Sequence, residues 1–252
     1  IGRRLCITAA GERFASYASR IAALFDDMER QLHGWDRCVL LRVGASITIG
    51  SQFLPGYVKR FRALHPGAEI QATMAPSKLL EQKLMDNLLD LALMEGVPHV
   101  PALQSEEYME DHLVVITPTD GPFRPGQHLS QTEFRQKFLL RERGSGTREE
   151  FERVTEQAGF TVSPTWEATS TTALVNAVIS VLGIAVLPYR MVSAPLERGL
   201  VSAVTVEGLE FHRKFRIVYH RDKFLTAQAR DFIALCRNFE ETASQHQYPG
   251  LC

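Results

Sequence analysis

The order in which two hydrophobic rhythms alternate along this chain constrains its fold more than any other feature. Short apolar runs suited to strands are each followed, a few residues on, by stretches whose apolar residues recur every three or four positions and so line one side of a helix. Val39, Leu40, Leu41 and Val43 form the first run, and after a polar turn the spacing predicts a helix from about Gly50 to Leu64, stopped by Pro66 and Gly67. Residues 69–74 repeat the strand, 78–88 the helix with Leu79, Leu80, Leu84 and Leu88 inward, and 89–94 give a third strand. Leu113 to Ile116 adds another, after which Thr117, Pro118 and Gly121 read as a hinge. A second unit follows: 134–140 leads into a strand, 147–158 is a helix closed by Gly159, 165–168 a strand, 171–181 a helix and 184–187 a strand. Residues 215–219 are strand-like, and 226–239 form an amphipathic helix with Ala229, Phe232, Ile233, Cys236 and Phe239 on one side. Strands separated by helices of this length must cross over to pair, which implies parallel neighbours in a doubly wound sheet. The expected fold class is therefore α/β, with two similar units joined by two strands.

Two such units each need a core, and 252 residues at 45% hydrophobic and 23% charged supply the apolar surface for both. The formal net charge of -1 gives no overall pull toward nucleic acid or an anionic membrane. No apolar run approaches the length of a bilayer span, and Arg3 and Arg4 are not followed by a signal-like apolar stretch, so no membrane partner and a cytoplasmic location are expected. Cys6, Cys38, Cys236 and Cys252 are scattered without CxxC spacing or a nearby His cluster, which points away from a metal site and from a disulfide framework. The chain opens at Ile1, inside what reads as a short basic strand, and is expected to be a fragment.

Ahead of the first strand, Phe14, Tyr17, Ile21, Leu24, Met28 and Leu32 fall on one stripe of a helix over 8–33, with Thr8 as its N-cap and Gly34 as its end. Glu12, Arg13, Arg20, Asp27 and Arg30 occupy the opposite face. So narrow a dry stripe suits a seam between two helices, and it equally suits a helix packed on its own domain.

Three stretches, RRLCITAAGERFASYASRI, LRVGASITIGSQFLPGYVKRFRALHPGAEI and LLRERGSGTREEFE, followed by GIAVLPYRMV and HRDKFLTAQARDFIALCR, stand in an order and spacing that resembles the LysR-type transcriptional regulators. The likeness runs from Ile1 to about Asn238. The first stretch is similar to the end of a winged helix-turn-helix wing and the linker helix after it, with Ile7 in place of the usual Leu and Thr8, Ala10, Gly11 and Glu12 matching. The second is similar to the first strand and helix of the regulatory domain, including Pro55 at the helix start and His65, Pro66 and Gly67 at its stop. The resemblance implies a periplasmic-binding-protein-like (type 2) fold of two Rossmann-like lobes with a ligand cleft between them, preceded by a long linker helix. It also implies a homodimer through that helix, paired again into a homotetramer, and DNA binding through an N-terminal domain whose recognition helix is not in this sequence. The division that follows is a wing remnant at 1–7, linker and hinge at 8–38, lobe I at 39–117 plus 217–245, and lobe II at 118–216. Arg3 and Arg4 match the basic wing, where they would reach phosphates or the minor groove; solvated charge is the alternative.

In open α/β sheets ligands gather beyond the carboxyl ends of strands, where free backbone amides converge. The loop after the first strand offers Ser46 and Thr48, which match effector-contacting positions of the family, although helix capping would also explain one hydroxyl. Ser77, beside Pro76, stands at the matching turn after the second strand. In the second unit Gly144, Ser145, Gly146 and Thr147 lie between a strand and a helix start, where two glycines permit a nest of amides that favours an anion; a capped helix without ligand is the other reading. Thr169, Ser170 and Pro188 at later turns complete the expected effector site.

Hydroxyls and amides make a binding pocket rather than a reaction centre. No Ser, His and Asp set, no P-loop and no dinucleotide fingerprint is present, so neither catalytic residues nor a cofactor is expected. Redox sensing through a thiol pair in the second lobe is disfavoured, because no cysteine lies between Cys38 and Cys236. The reading is a transcriptional regulator answering to a small, anionic metabolite. The alternatives are a transporter's solute-binding protein, which needs an export signal, and a non-redox cleft enzyme, which needs acid, base or metal residues converging on the cleft.

Overall fold

The computed structural model describes residues 40–239 without interruption and, before them, residues 8–11, 13–15, 17, 18, 21, 22, 25 and 28. The described positions between 9 and 28 are helical (α1), and Thr8 caps them as expected by accepting from the Gly11 amide at 3.1 Å. Phe14, Tyr17, Ile21, Phe25 and Met28 all face solvent from this helix. Leu24, Leu32, Gly34 and the basic pair Arg3 and Arg4 lie outside the described residues.

The first half of the body repeats strand and helix as the hydrophobic rhythm demands: β1 (Leu40–Ala45), α2 (Ile47–Gln52), α3 (Leu54–Leu64), β2 (Glu69–Met74), α4 (Ser77–Met85) and β3 (Leu91–Glu95). The single helix expected over 50–64 is two, separated at Phe53, because Pro55 is suited to the first turn of a new helix rather than the middle of an old one. β1 pairs in parallel with β2 on one side and β3 on the other.

The second half contains β4 (Leu103–Pro118), β5 (His128–Leu129), α5 (Gln131–Phe134), β6 (Leu139–Arg141), α6 (Gly146–Gln157), β7 (Trp166–Ala168), α7 (Thr171–Ile179), β8 (Ala185–Pro188), α8 (Tyr189–Glu197) and β9 (Val201–Val206). The chain then returns through β10 (His212–His220) and ends its described part with α9 (Ala227–Arg237).

The sheet is mixed rather than wholly parallel. β10 runs antiparallel between β3 and β4, and β4 also pairs antiparallel with β8 and β9. β4 is one continuous strand serving both halves: residues 103–112 pair with β10, and 113–118 with β8 and β9. It runs straight through Thr117 and Pro118, where the sequence suggested a hinge, and Gly121 only closes a turn onto the Pro118 carbonyl at 3.2 Å. The changeover lies earlier, at a two-stranded neck where His112 faces His212, Asp111 faces Arg213, and the Leu113 amide donates to Phe211 at 2.8 Å.

Each half buries apolar side chains on both faces of its sheet, as a helix-covered sheet requires. In the first, Leu41, Val43, Leu91, Leu93, Phe215 and Ile217 pack under α3 and α9, while Leu89, Ala92, Met94 and Val218 meet Leu80 and Leu84 of α4. In the second, Leu113, Val115, Val186 and Val204 pack against Phe134, Phe151 and Val154, and Ile116, Ala185 and Leu187 against Leu174, Val178 and Val192.

Candidate functional site

The carboxyl ends of the parallel strands point toward the line where the halves meet. Ser46 follows β1, Ser77 begins α4 after β2, Glu95 ends β3, Arg141 ends β6, and Ser145 and Gly146 begin α6. All six line one small cavity, the first three from one half and the last three from the other. In this closed arrangement the enclosed space has room for about one water, so a guest enters only as the halves part.

Two hydroxyls here are withheld from their customary work. Ser46 precedes α2 and Ser145 precedes α6, yet neither side chain caps its helix. Ser46 Oγ is buried with no hydrogen-bond partner. Elsewhere capping is ordinary: Ser130, Ser170 and Thr226 accept from the third amide of their helices. Capping therefore accounts for Ser170, on an exposed turn, and leaves the hydroxyls in the cleft unexplained. A buried hydroxyl without a partner costs free energy unless something binds it.

The other expected residues divide as follows. Thr48 and Thr147 do meet across the cleft, but through a side chain the sequence reading did not assign: Arg213 of β10 donates from Nη1 to Thr147 Oγ1 at 2.9 Å and from Nη2 to Thr48 Oγ1 at 3.1 Å. Its Nε and Nη2 also engage Asp111 Oδ2, at 2.8 and 2.7 Å, and Glu95 Oε1 lies 3.6 Å from Nη1. Gly144 takes a left-handed φ of 82°, as the expected nest of amides needs, and accepts from the Lys78 amide across the cleft at 3.4 Å. Thr169 is exposed, and neither it nor Ser170 lines the cavity; Pro188 is buried where β8 pairs with Leu113, also away from it.

Further contacts hold the halves together. Gly146 packs so closely on Glu95 that a β-carbon there would lie 2.7 Å from Glu95 Cβ. The Arg190 guanidinium sits 5.1 Å from the Phe53 ring and 3.9 Å from Asp111. His99 accepts a place between both halves, with Nδ1 3.0 Å from Glu81 of α4 and Nε2 4.0 Å from Glu149 of α6. The hydrogen bond to Glu81 raises the His99 pKa above its ordinary value, and desolvation raises that of Glu149. Arg141 is saturated by a two-pronged pair with Glu142, both contacts at 2.8 Å, and reaches Thr171 Oγ1 at 3.4 Å.

Arg213, Asp111, Glu95 and Arg141 are the site residues that sequence reasoning missed. One signal for Arg213 was available: at a spacing of two it shares a face with Phe215 and Ile217, and a charge on the dry face of a strand requires a buried partner. Cys236 is buried in the first core, where burial pushes its thiol far above the usual range, so it is an inert packing residue. Among the described residues no group of three or more His, Cys, Asp or Glu side chains is placed to hold a metal ion, and no helix is long and apolar enough to cross a membrane.

Two sheet halves with a polar, enclosed cleft between them define a small-molecule binding module. The chain belongs to the LysR family: residues 38–240 match the LysR substrate binding domain. It is similar to the RuBisCO operon transcriptional regulator of Allochromatium vinosum, 30% identical over 236 residues that cover 92% of this chain and 78% of that one. In fold it resembles the regulatory domain of CcmR from Synechocystis PCC6803 in complex with 2-PG, with a TM-score of 0.72, 22% identity, and coverage of 79% of this chain and 95% of that one. It also resembles the effector binding domain of QuiR in complex with shikimate, with a TM-score of 0.70, 16% identity and the same coverages. The Allochromatium relative is a transcriptional regulator, the matched family is LysR and the fold is periplasmic-binding-protein-like, so the regulator reading is supported over the solute-transport and enzyme alternatives.

Proposed function

We propose that this chain senses a small metabolite bearing an acidic group, which binds in the cleft between the halves and sets the angle between them. The single observation that carries this reading is the pair of uncommitted hydroxyls, Ser46 from one half and Ser145 from the other, lining one cavity beside the first turn of α6. An oxyanion accepting from both would satisfy the buried Ser46 hydroxyl and the free amides of α6, with the helix dipole in its favour. Thr48, Thr147 and Gly144 surround it, joined across the cleft by Arg213 and the Lys78 contact. Lobe I is read as residues 40–112 with 212–239 and lobe II as 113–211, because the neck is where the strand partners change.

The output is control of DNA binding in the cytoplasm, through an N-terminal domain carried by the whole regulator. The exposed apolar stripe of α1, from Phe14 to Met28, supports pairing with a second copy and from there a tetramer. Coupling requires the effector to prefer one lobe angle over the other, since equal affinity for both shifts nothing. A thermal-shift screen of small carboxylates, sulfate and phosphate tests the site: the best binder should raise the melting temperature. Ser46→Ala and Ser145→Ala should each weaken it about tenfold, as expected for loss of a hydrogen bond to a charged group. Unchanged affinity in both variants would place the site elsewhere.

A further inference from the structure

We infer that the effector carries a hydrogen-bond donor, a hydroxyl or an ammonium, on the carbon next to its acidic group, and that Glu95 recognises it. This rests on the cleft being the effector site, as proposed above. The charges on the cavity wall lead to it. Arg141 is the cation lining the cavity, and it is already matched by Glu142 in a two-pronged pair. Arg213, behind the wall, is matched by Asp111 and shares Glu95. Glu95 itself lines the cavity and is buried, with Oε2 accepting from Ser77 at a long 3.3 Å and Oε1 no closer than 3.6 Å to Arg213.

The wall offered to a guest is thus not a positive one. A compact dianion such as sulfate or phosphate would be forced against a buried carboxylate, and like charges in a poorly hydrated site repel strongly. The hydroxyl side of the same cavity, with Ser46 unpartnered and Ser145 at the start of the twelve-residue α6, still favours one acidic group.

The two sides are close. A β-carbon built on Gly146, the first residue of α6, would stand 3.1 Å from Glu95 Oε2. A guest whose acidic group sits at that helix start therefore presents the adjoining carbon to Glu95, and a donor on that carbon meets the carboxylate. Small 2-hydroxy and 2-amino acids have this arrangement, and they need the least parting of the halves to enter so tight a space.

Calorimetric titration of the full chain with four size-matched probes, propanoate, lactate, alanine and sulfate, tests the inference. Lactate or alanine should bind more than about tenfold tighter than propanoate, because a site built around a donor rejects the analogue that lacks one, and sulfate should be weakest. Which of the two wins separates hydroxyl from ammonium. Glu95→Gln should bring the winner to within about twofold of propanoate, and Glu95→Asp, which keeps the charge but shortens the reach, should reduce the preference while holding the fold. Equal affinity for propanoate and the donors, or a preference that survives Glu95→Gln, overturns the inference. If in that case Ser46→Ala still abolishes binding, the effector cleft stands without it. Failure of all four probes to bind overturns both readings.

Discussion

Arg213 and Asp111 face each other at the neck, and the guanidinium extends from there to a threonine on each half. Both side chains are almost wholly shielded from water, so the pair resists replacement of one member more than of both. Arg213→Met is expected to lower unfolding free energy by about 3–5 kcal/mol, and Arg213→Met with Asp111→Leu by distinctly less, because the double variant leaves no charge stranded. Denaturant titration of the two single variants and the double gives the coupling; additive losses would show the pair to be independent groups. This residue-scale chemistry was only half legible beforehand. Ser46, Ser77, Ser145 and Gly146 stand where strand-to-helix turns had to put them, and they line one cavity. The partners of Arg213 come from positions 66 and 165 residues away, and no local pattern announces which hydroxyls a buried guanidinium will find.

At the scale of elements, most strands and helices with strong periodicity were readable, although β9, VSAVTV, was passed over despite its strand-like pattern. The first part of β4, LQSEEYMEDH, is polar on both sides because it borders β10 at the surface, so neither alternation nor an apolar run marks it. α8 buries only Val192 and contains Pro195, which hides a helix whose role is to close the neck. The parallel expectation for the whole sheet failed because β10 runs antiparallel between β3 and β4, and β4 antiparallel to β8 and β9; a strand's own hydrophobic pattern does not carry the direction in which it will pair. α4 and α6 are joined by His99, which faces Glu81 and Glu149 with Lys78 also nearby. Because the folded pKa of His99 lies above its ordinary value of 6.5, the clasp is fully present below that value and is lost as pH rises through the folded pKa. His99→Gln should therefore melt below wild type at about pH 6 and converge with it by about pH 9, the effect being small since the ring is largely exposed. Melting curves at both pH values check the sign; a gap that widens with pH would rule the clasp out.

For the whole molecule, the contact between Gly146 and Glu95 measures how tightly the halves are shut. With a β-carbon at Gly146 only 2.7 Å from Glu95 Cβ, a branched side chain there has no space unless the halves part. Gly146→Val should increase the radius of gyration in small-angle scattering and weaken effector binding, with each half retaining its own two cores. Identical scattering from the variant and the wild type would mean that the closed arrangement is not held at this point. The broad architecture of two α/β halves was legible because the hydrophobic rhythm must satisfy both faces of each sheet. How far they close was not, since it depends on groups brought together only after both halves exist.

The neck also limits what kinds of movement are available. At 111–113 and 211–213 the halves are connected by two hydrogen-bonded strands side by side, a ribbon. A ribbon of this sort yields most readily to added twist and resists splaying, since strand pairs tolerate a wide range of twist without breaking their ladder. The neck thus behaves as a torsion bar, and the outermost loops of the two halves must travel along opposing arcs while the middle stays almost still.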